Sequence, residues 1–355
     1  MALDTNLFLD KLIEEGYTHL CVVPCSFAKN LINAAINNEN IVYAPCASEA
    51  IACSMAAGLK MSGKKPIVIV QSSGVTNMGS CITSLLNPYG VTFPIISSWR
   101  TYKAGDSEIQ HEHLATALPE LIASYGYEHT IVDQDDVTKA IEQINLCDTS
   151  MTVAVLKKET FTKVELLETH ILDLSEYTPR SKFLIQMNTM FKADDTLFIG
   201  TTGNTAREMY SFMPDTNNFY MAGNMGGALS LGLGAAMAGK KVVVCGGDAE
   251  FVMHMGGLST AGRYDDINLT YGLFDNESNK STGGQNTYQS HLDYISIAKG
   301  ANLQSAEKII TEVETFTKTL EESQKRKGIH FICVKCGVDD ETPRPPLDVV
   351  KVSEF

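Results

Sequence analysis

The feature that most constrains the fold of this 355-residue sequence is a repeated alternation between short apolar runs and segments of helix length. Runs such as 67–71 and 242–245 have the length and the Val and Ile content of buried strands. Strands that alternate with helices pair in parallel, and helices then cover both faces of the sheet. The sequence therefore predicts the α/β fold class.

One break in the alternation predicts two domains. Residues 157–179 are charged and aperiodic, so we interpret them as a linker between a domain at 1–156 and a domain at 180–355. Each part is long enough to bury a hydrophobic core of its own. We expect two tandem doubly wound parallel-sheet domains, with a polar loop from Arg100 to His113 and a helix from Glu307 to Lys325.

Composition excludes several classes of function. The net charge of −14 argues against binding to nucleic acid or to an anionic membrane surface, because both require a basic face. No apolar run approaches membrane-spanning length, and the N-terminal residues lack the pattern of a signal peptide. The nine cysteines lie mostly in apolar runs, including Cys333 and Cys336, which lack the second pair of a zinc site. We expect a cytoplasmic protein with reduced thiols.

Polar side chains follow two apolar runs that read as neighbouring parallel strands. Asp248 comes after the run 242–245, and Asn276 comes after the run 269–274. Ligands of doubly wound sheets bind at the carboxyl ends of such strands. Carboxylate and amide oxygens are hard ligands, suited to Mg²⁺ that carries a diphosphate. The alternative is an Asp and an Asn at ordinary strand-to-helix turns.

Three glycine-rich turns also follow strands in the second half, at 200–203, 223–227 and 246–247. Glycine lets backbone N–H groups and a helix N-terminus approach a phosphate closely. Each turn alone is typical of a tight connection, but the set together with Asp248 and Asn276 favours a diphosphate cradle. Neither half opens with Gly-x-Gly-x-x-Gly after its first strand, which disfavours a dinucleotide site.

The order of motifs along nearly the whole chain resembles the thiamine diphosphate-dependent 2-oxo acid decarboxylases, most of all phosphonopyruvate decarboxylase and, more loosely, the joined subunits of sulfopyruvate decarboxylase. The spacing of Asp248 and Asn276 resembles the Gly-Asp-Gly and Asn-Asn signature of that family. The matching motifs are Pro24 to Ser26, Glu49, Gln71 to Asn77, Asn87-Pro88, Trp99-Arg100, Gln110-His111, Thr201 to Gly203, Gly223 to Gly226, Met253 to Gly256, Ser281 to Gln285 and Arg344-Pro345.

The resemblance implies a thiamine diphosphate-binding fold, with Mg²⁺, and a role for each matching residue. Glu49 would hydrogen-bond the aminopyrimidine ring and activate the cofactor, whereas from the sequence alone it could be a Glu favoured by the helix dipole. His111 would act in catalysis, although His111 and His113 could also be a metal pair or a solvated cluster. The implied metal ligands are Asp248, Asn276 and the Ser278 carbonyl.

The implied contacts of cofactor and substrate complete this set. Met225 would support the bent cofactor, with an ordinary core Met as the alternative. The implied cofactor-binding residues are Glu49, Thr201, Thr202, Gly203, Gly223, Asn224, Met225, Gly226, Gly247, Asp248, Ala249, Asn276 and Ser278. The implied substrate-binding residues are Cys25, Ser26, Asn77, Arg100, Gln110 and His111.

The chain departs from the family pattern at five positions. Ala249 and Asp275 replace a Gly and an Asn of the cofactor signature, and Cys25, Thr101 and Asn279 replace an Asp, a Gly and a His of phosphonopyruvate decarboxylases. The first two leave the three implied metal ligands in place. The other three concern the region expected to bind the substrate, so they bear on substrate identity.

The expected activity is non-oxidative decarboxylation of 3-phosphonopyruvate, with thiamine diphosphate and Mg²⁺, by a homodimer or a multiple of one whose active sites lie at the subunit interface. The available cations for the phosphonate are Arg100, Lys103, Arg207 and Lys280. Sulfopyruvate as substrate, carboligation with a second carbonyl compound, and a binding paralogue without catalysis are the alternatives.

Overall fold

A computed structural model describes residues 2–103 and 109–338 of the chain. The chain divides into two compact units, Met1–Ile171 with Asn279–Asn286, and Leu172–Ser278 with Thr287–Phe355. The division after Ile171 falls inside the segment 157–179 that the sequence predicts as a linker. The Arg344-Pro345 motif lies outside the described residues.

The first unit contains a six-stranded parallel sheet with strand order β2-β1-β3-β4-β6-β5. Its strands are β1 (His19–Val22), β2 (Val42–Pro45), β3 (Pro66–Gln71), β4 (Ile95–Ser98), β5 (Glu128–Ile131) and β6 (Thr152–Leu156). Its α-helices are α1 (Thr5–Glu14), α2 (Lys29–Ile36), α3 (Glu49–Met61), α4 (Ser72–Asn77), α5 (Gly79–Cys81), α6 (Asn87–Tyr89), α7 (Glu112–Ser124) and α8 (Val137–Thr149).

The second unit contains a second six-stranded parallel sheet, with strand order β13-β14-β10-β9-β7-β8. Its strands are β7 (Leu197–Gly200), β8 (Asn217–Tyr220), β9 (Lys241–Gly247), β10 (Asn268–Asp275), β13 (Gln304–Ser305) and β14 (Gly328–Lys335). The short strands β11 (Ser278–Asn279) and β12 (Gln285–Asn286) form a separate pair, and all of their residues except Ser278 belong to the first unit. Its helices are α9 (Arg180–Met190), α10 (Asn204–Phe212), α11 (Ala228–Met237), α12 (Asp248–Met253), α13 (Gly256–Ala261), α14 (Tyr294–Gly300) and α15 (Val313–Gln324).

Alternating strand side chains supply both faces of each sheet with apolar residues. In β3, Ile67 and Ile69 point into one buried cluster, whereas Val68 and Val70 point into the cluster on the opposite face. In β9 the alternate residues are likewise divided between two clusters. Since each sheet is buried on both faces, its polar functions are confined to the strand ends. The prediction of two doubly wound parallel-sheet units is confirmed.

Some predicted elements differ from the structure. The predicted helix from Glu307 to Lys325 is wrong at its start, because α15 begins only at Val313 and Ile310 forms a parallel bridge with Val334. The predicted loop from Arg100 to His113 ends earlier, since a 3₁₀ turn covers Ile109–His111 and α7 begins at Glu112. A tertiary hydrogen-bonded bridge sets the backbone conformation in the first case, and a short local turn sets it in the second. Hydrophobic periodicity detects neither.

Candidate active site

Four neighbouring strands of the second unit bring their carboxyl ends to one edge of the sheet. The parallel register pairs Gly200 with Tyr220 and with Cys245, and pairs Phe274 with Gly247. The turns at 201–203, 221–227, 247–249 and 275–278 therefore all begin at this edge. This is the edge at which open parallel sheets bind ligands.

Asp248 and Asn276 lie buried at this edge with their side-chain oxygens fixed. Asp248 Oδ1 accepts a hydrogen bond from the Ala249 N–H at 2.9 Å, and Oδ2 accepts one from Thr287 Oγ1 at 3.1 Å. Asn276 Oδ1 accepts one from the Ser278 N–H at 3.2 Å. Burial raises the pKa of Asp248 to about 7, and the neighbouring Asp275 carboxylate adds to this shift. A bound cation would therefore favour the ionised form of Asp248.

Asp275, which replaces an Asn of the cofactor signature, has a cationic partner. Lys335 Nζ donates to Asp275 Oδ2 at 3.0 Å and also donates to Glu277 Oε1. Burial lowers the pKa of Lys335, but the two carboxylates outweigh burial and raise it overall. The sequence reasoning missed Lys335, although a lysine closing the apolar strand β14 is a signal that it has a buried partner.

The glycine turns of this edge are tied to one another. Thr202 Oγ1 lies 3.1 Å from the carbonyl oxygens of both Met221 and Gly223, and so joins the turn after β7 to the turn after β8. Gly203 and Gly226 have φ angles of +98° and +90°, which L side chains rarely adopt. Glycine is thus required by the backbone conformation at both positions.

Space as well as conformation favours glycine in the second turn. A Cβ atom at Gly226 would lie 2.8 Å from His254 Cγ, and one at Gly227 would lie 2.4 Å from Asn224 Nδ2. Met225 is half-buried in this turn. Thr201 is buried, and its hydroxyl has no hydrogen-bond partner within the described part of the chain. A buried donor beside three glycine turns suits an anionic ligand that supplies acceptor oxygens.

A buried acid, Glu250, supports two of these turns and was missed by the sequence reasoning. Tyr271 OH donates to Glu250 Oε2 at 2.5 Å, and the N–H groups of Ala228 and Gly247 also bind this carboxyl group. Burial raises the pKa of Glu250 to about 7. Tyr271 fills the space beside Gly246, where a Cβ atom would lie 2.3 Å from its ring. The sequence signal for its burial is the position of Glu250 directly before the apolar run Phe251 to Met253.

In the first unit, Glu49 is the first residue of α3 and is buried. The Ser48 side chain caps this helix by accepting from the Ile51 N–H. Asn77 Nδ2 donates to Glu49 Oε2 at 2.8 Å. A Cβ atom at Gly74 would lie 2.5 Å from Glu49 Oε1, so a glycine at this position leaves room for the carboxylate. The structure thus brings together Glu49 and Asn77, which the sequence assigned to cofactor and substrate.

Three further predicted residues lie at the carboxyl ends of β1 and β4. The Cys25 thiol donates to Ser98 Oγ at 3.1 Å, and both residues are buried. Arg100 Nη1 donates to Ser26 Oγ, and the guanidinium lies 4.6 Å from the centre of the Phe27 ring. Arg100 is therefore a buried cation held in place by a hydroxyl group and an aromatic face.

The departure at Thr101 has a structural counterpart. Thr101 has a φ angle of +60°, in the left-handed region that favours glycine, and its side chain is buried. Its hydroxyl has no hydrogen-bond partner among residues 2–103 and 109–338. A β-branched residue in this conformation is rare and strained, and such residues concentrate at functional sites.

Gln110 and His111 lie in the 3₁₀ turn that precedes α7. Gln110 is exposed, whereas His111 is buried. Residues 104–108, which precede this turn, lie outside the described part. Gln285 is fully buried in the first unit, where its Nε2 donates to Asn33 Oδ1 at 2.8 Å.

Within the described ranges, no group of three or more His, Cys, Asp and Glu side chains is arranged to hold a metal ion. A metal at Asp248 would therefore depend on amide and carbonyl oxygens as well as on carboxylate. The helices of the described residues include none with both the length and the apolarity of a membrane span.

Two family models match the chain. The thiamine pyrophosphate enzyme N-terminal TPP binding domain matches residues 5–117, and the thiamine pyrophosphate enzyme C-terminal TPP binding domain matches residues 199–334. These ranges include Glu49 in the first match and the glycine turns with Asp248 and Asn276 in the second.

Named relatives agree with these matches. A phosphonopyruvate decarboxylase of Streptomyces hygroscopicus is 31% identical over 80% of this chain and 75% of its own length. A phosphonopyruvate decarboxylase of Streptomyces viridochromogenes is 26% identical over 95% of this chain and 90% of its own length. A sulfopyruvate decarboxylase of Methanosarcina acetivorans is 25% identical over 87% of both chains.

Proposed function

We propose, from the premise that this chain belongs to the thiamine pyrophosphate enzymes, that it converts 3-phosphonopyruvate to phosphonoacetaldehyde and carbon dioxide without oxidation. The chain is a thiamine diphosphate-dependent decarboxylase and thus a carbon–carbon lyase related to phosphonopyruvate decarboxylase. The substrate, the use of Mg²⁺ and the roles of individual residues are our proposal. The observation that carries it is the buried Glu49, held by Asn77 at the start of α3.

The residues at the edge of the second sheet fit a magnesium diphosphate. Asp248, Asn276 and the Ser278 carbonyl would hold Mg²⁺, since these are hard oxygen ligands at the ends of β9 and β10. The diphosphate would lie against three groups of residues, and the half-buried Met225 and Ala249 are members of two of them. These groups are Thr201 to Gly203, Gly223 to Gly226 and Gly247 to Ala249. Support comes from the buried hydroxyl of Thr201 and from the positive φ angles at Gly203 and Gly226.

Glu49 would activate the cofactor through a hydrogen bond to a ring nitrogen of its aminopyrimidine. Asn77 fixes Glu49 Oε2, which leaves Oε1 to exchange a proton with that nitrogen. When bound, thiamine diphosphate supplies an electron sink for the electron pair of the breaking carbon–carbon bond. A proton then takes the place of the carboxylate on the substrate carbon, and His111 is the group that we assign to orient the substrate or to supply this proton.

We assign the recognition of the phosphonate to the first unit. Arg100 is a buried cation fixed by Ser26 and Phe27, and a fixed guanidinium suits the bidentate recognition of a phosphonate. Cys25, Asn77 and Gln110 would line the same substrate site. Because the protein as a whole carries a net charge of −14, a local cation is needed to attract an anionic substrate.

The two units correspond, in this proposal, to a pyrimidine-binding domain at 1–156 and a diphosphate-binding domain at 180–355, joined by the linker 157–179. We propose a homodimer, or a multiple of one, with active sites at the subunit interface. The exposed apolar residues Ile51, Met55 and Met61 on α3, the helix that begins with Glu49, support this. A cytoplasmic location suits the free thiols of all nine cysteines.

Sulfopyruvate is the second candidate substrate, and the similarity to a sulfopyruvate decarboxylase over most of both chains favours it. The test is to measure kcat/KM for 3-phosphonopyruvate, sulfopyruvate and pyruvate with purified protein, thiamine diphosphate and Mg²⁺. We expect the highest value for 3-phosphonopyruvate and no added product with an aldehyde acceptor. Turnover of sulfopyruvate alone would replace the first assignment by the second, and a product that contains the acceptor would indicate carboligation.

A further inference from the structure

Three charged residues stand side by side at the ends of neighbouring strands in the second unit. Asp248 directly follows β9, Asp275 closes β10 and Lys335 closes β14. The register pairs Asp275 with Lys335, and it pairs Phe274 with Gly247, so Asp275 lies between the other two. The order across the sheet edge is thus carboxylate, carboxylate, ammonium.

Both oxygens of the Asp275 carboxylate accept hydrogen bonds, and this carboxyl group also contacts that of Asp248. Lys335 Nζ donates to its Oδ2 at 3.0 Å, and the Glu277 N–H donates to its Oδ1 at 3.1 Å. Lys335 also binds the Glu277 carboxylate and lies 6.0 Å from the centre of the Tyr177 ring. The side chains of Lys335 and Asp275 are only 12% and 9% exposed, so solvent screens this pair weakly.

The charge of Asp275 would otherwise act directly on the proposed metal site. Asp275 neighbours Asp248 across the strands and precedes Asn276 in the chain, and both of these are assigned as metal ligands. An unpaired carboxylate here would attract a cation and repel a diphosphate. The same carboxylate could also enter the coordination sphere of the metal, because hard cations accept any nearby carboxylate oxygen.

We propose that Lys335 is a positioning residue of the metal and diphosphate site, which neutralises Asp275 and keeps its oxygens out of the metal coordination sphere. The proposal rests on the proposed function, because it takes Asp248, Asn276 and Ser278 as the ligands. Lys335 then cancels the negative charge that Asp275 adds in the place where the family pattern has a neutral Asn. Lys335 thus compensates for the departure at Asp275.

Two single variants test this through binding and without any measurement of activity. The dissociation constants of Mn²⁺ alone and of thiamine diphosphate with saturating Mg²⁺ are measured by titration calorimetry. In Lys335→Met, which leaves an unpaired carboxylate, we expect Mn²⁺ to bind about tenfold more tightly and thiamine diphosphate about tenfold more weakly. In Asp275→Asn, which removes one negative charge and leaves Lys335 paired with Glu277, we expect both shifts to reverse sign.

The double variant Lys335→Met with Asp275→Asn is expected to restore both dissociation constants to within about threefold of the original values, since the net charge beside the site is again that of the original protein. A purely structural ion pair would lower the melting temperature in either single variant without opposite changes in the two affinities. The control is Lys327→Met, which breaks the exposed ion pair with Asp266 in the same unit and should change neither affinity.

Several outcomes would overturn the proposal. Unchanged affinities in both single variants would do so. A double variant that binds thiamine diphosphate no more tightly than Lys335→Met does would also overturn it. If Lys335→Met fails to fold, Asp275→Asn still decides, because weaker Mn²⁺ binding is required of it. Failure of the unmodified protein to bind thiamine diphosphate with Mg²⁺ would remove the proposed function itself, and this proposal with it.

Discussion

Asn77 Nδ2 donates a 2.8 Å hydrogen bond to Oε2 of Glu49, and so fixes one oxygen of the buried carboxylate that begins α3. Glu49 begins α3, which follows β2, and Asn77 ends α4, which follows β3; β1 lies between these two strands in the sheet. One oxygen of Glu49 is thereby committed, and the other is the one that we propose to serve the cofactor.

Replacing Asn77 by Ala should therefore lower kcat and also lower stability, because the Glu49 carboxylate loses a hydrogen-bond donor. A hydrogen bond to a charged group contributes roughly 1.5–3 kcal/mol, so we expect a fall in kcat of roughly ten- to a hundredfold. Steady-state kinetics and thermal unfolding measure the two effects. The exposed Thr76 in the same helix provides the matched control, Thr76→Ala, which should retain full activity. An Asn77→Ala enzyme with unchanged kcat would show that the hydrogen bond has no part in catalysis.

Gly74 makes room for the same carboxylate, and Gly74→Ala should displace it. The added Cβ would lie 2.5 Å from Oε1 and 2.6 Å from Cγ of Glu49, which is closer than real contacts allow. We expect kcat to fall at least about tenfold, a loss of about 1.4 kcal/mol of transition-state stabilisation. Enzyme assays and circular dichroism would separate this from unfolding.

The control for that variant is Gly234→Ala in the interior of α11, where a Cβ atom meets no heavy atom within 4 Å. Alanine is favoured over glycine in a helix interior by about 1 kcal/mol, so this variant should be somewhat more stable and equally active. Equal losses of activity in the two variants would mean that crowding of Glu49 is not the cause.

Much of this architecture could be predicted from the sequence. The bounds of α3, Glu49 to Met61, follow from its capping serine and its apolar positions, because both are local signals. The apolar runs that precede Asp248 and Asn276 are long and regular, and the structure has them as neighbouring strands. Because each of these strands is buried on both faces, it appears in the sequence as a continuous apolar run.

Other features depend on relationships that a single sequence does not contain. Lys335 and Asp275 are 60 residues apart, and only the placement of β14 beside β10 brings them together. The Glu250 and Tyr271 pair likewise spans two strands. The sequence predicts Ile310 as helical, and this is wrong because Ile310 hydrogen-bonds to β14, a long-range pairing that local sequence does not reveal. Strand order, unlike strand existence, is set by tertiary packing.

Glu250 should make the stability of the cofactor-free protein depend on pH. Its pKa in the folded protein is about 7, above the value of about 4.3 for an exposed Glu. Between these values the folded protein holds a proton that the unfolded chain lacks, so the free energy of unfolding should fall as pH rises and become level above about 7.

Glu250→Gln provides the test, because glutamine keeps the acceptor oxygen for Tyr271 and cannot ionise. Denaturant unfolding of both proteins between about pH 4 and about pH 8, values chosen on either side of the window, should show similar stability at the acidic end. At the alkaline end the variant should be the more stable protein. Parallel stability curves for the two proteins would mean that Glu250 does not titrate in this range.

The most direct test of the central claim is ³¹P NMR of 3-phosphonopyruvate incubated with the purified protein, thiamine diphosphate and Mg²⁺. We expect the substrate resonance to be replaced by that of phosphonoacetaldehyde, with an equal amount of carbon dioxide, only when the cofactor is present. Glu49→Gln should bind the cofactor yet convert the substrate at least about a hundredfold more slowly. No conversion by the unmodified protein, or undiminished conversion by Glu49→Gln, would contradict the account.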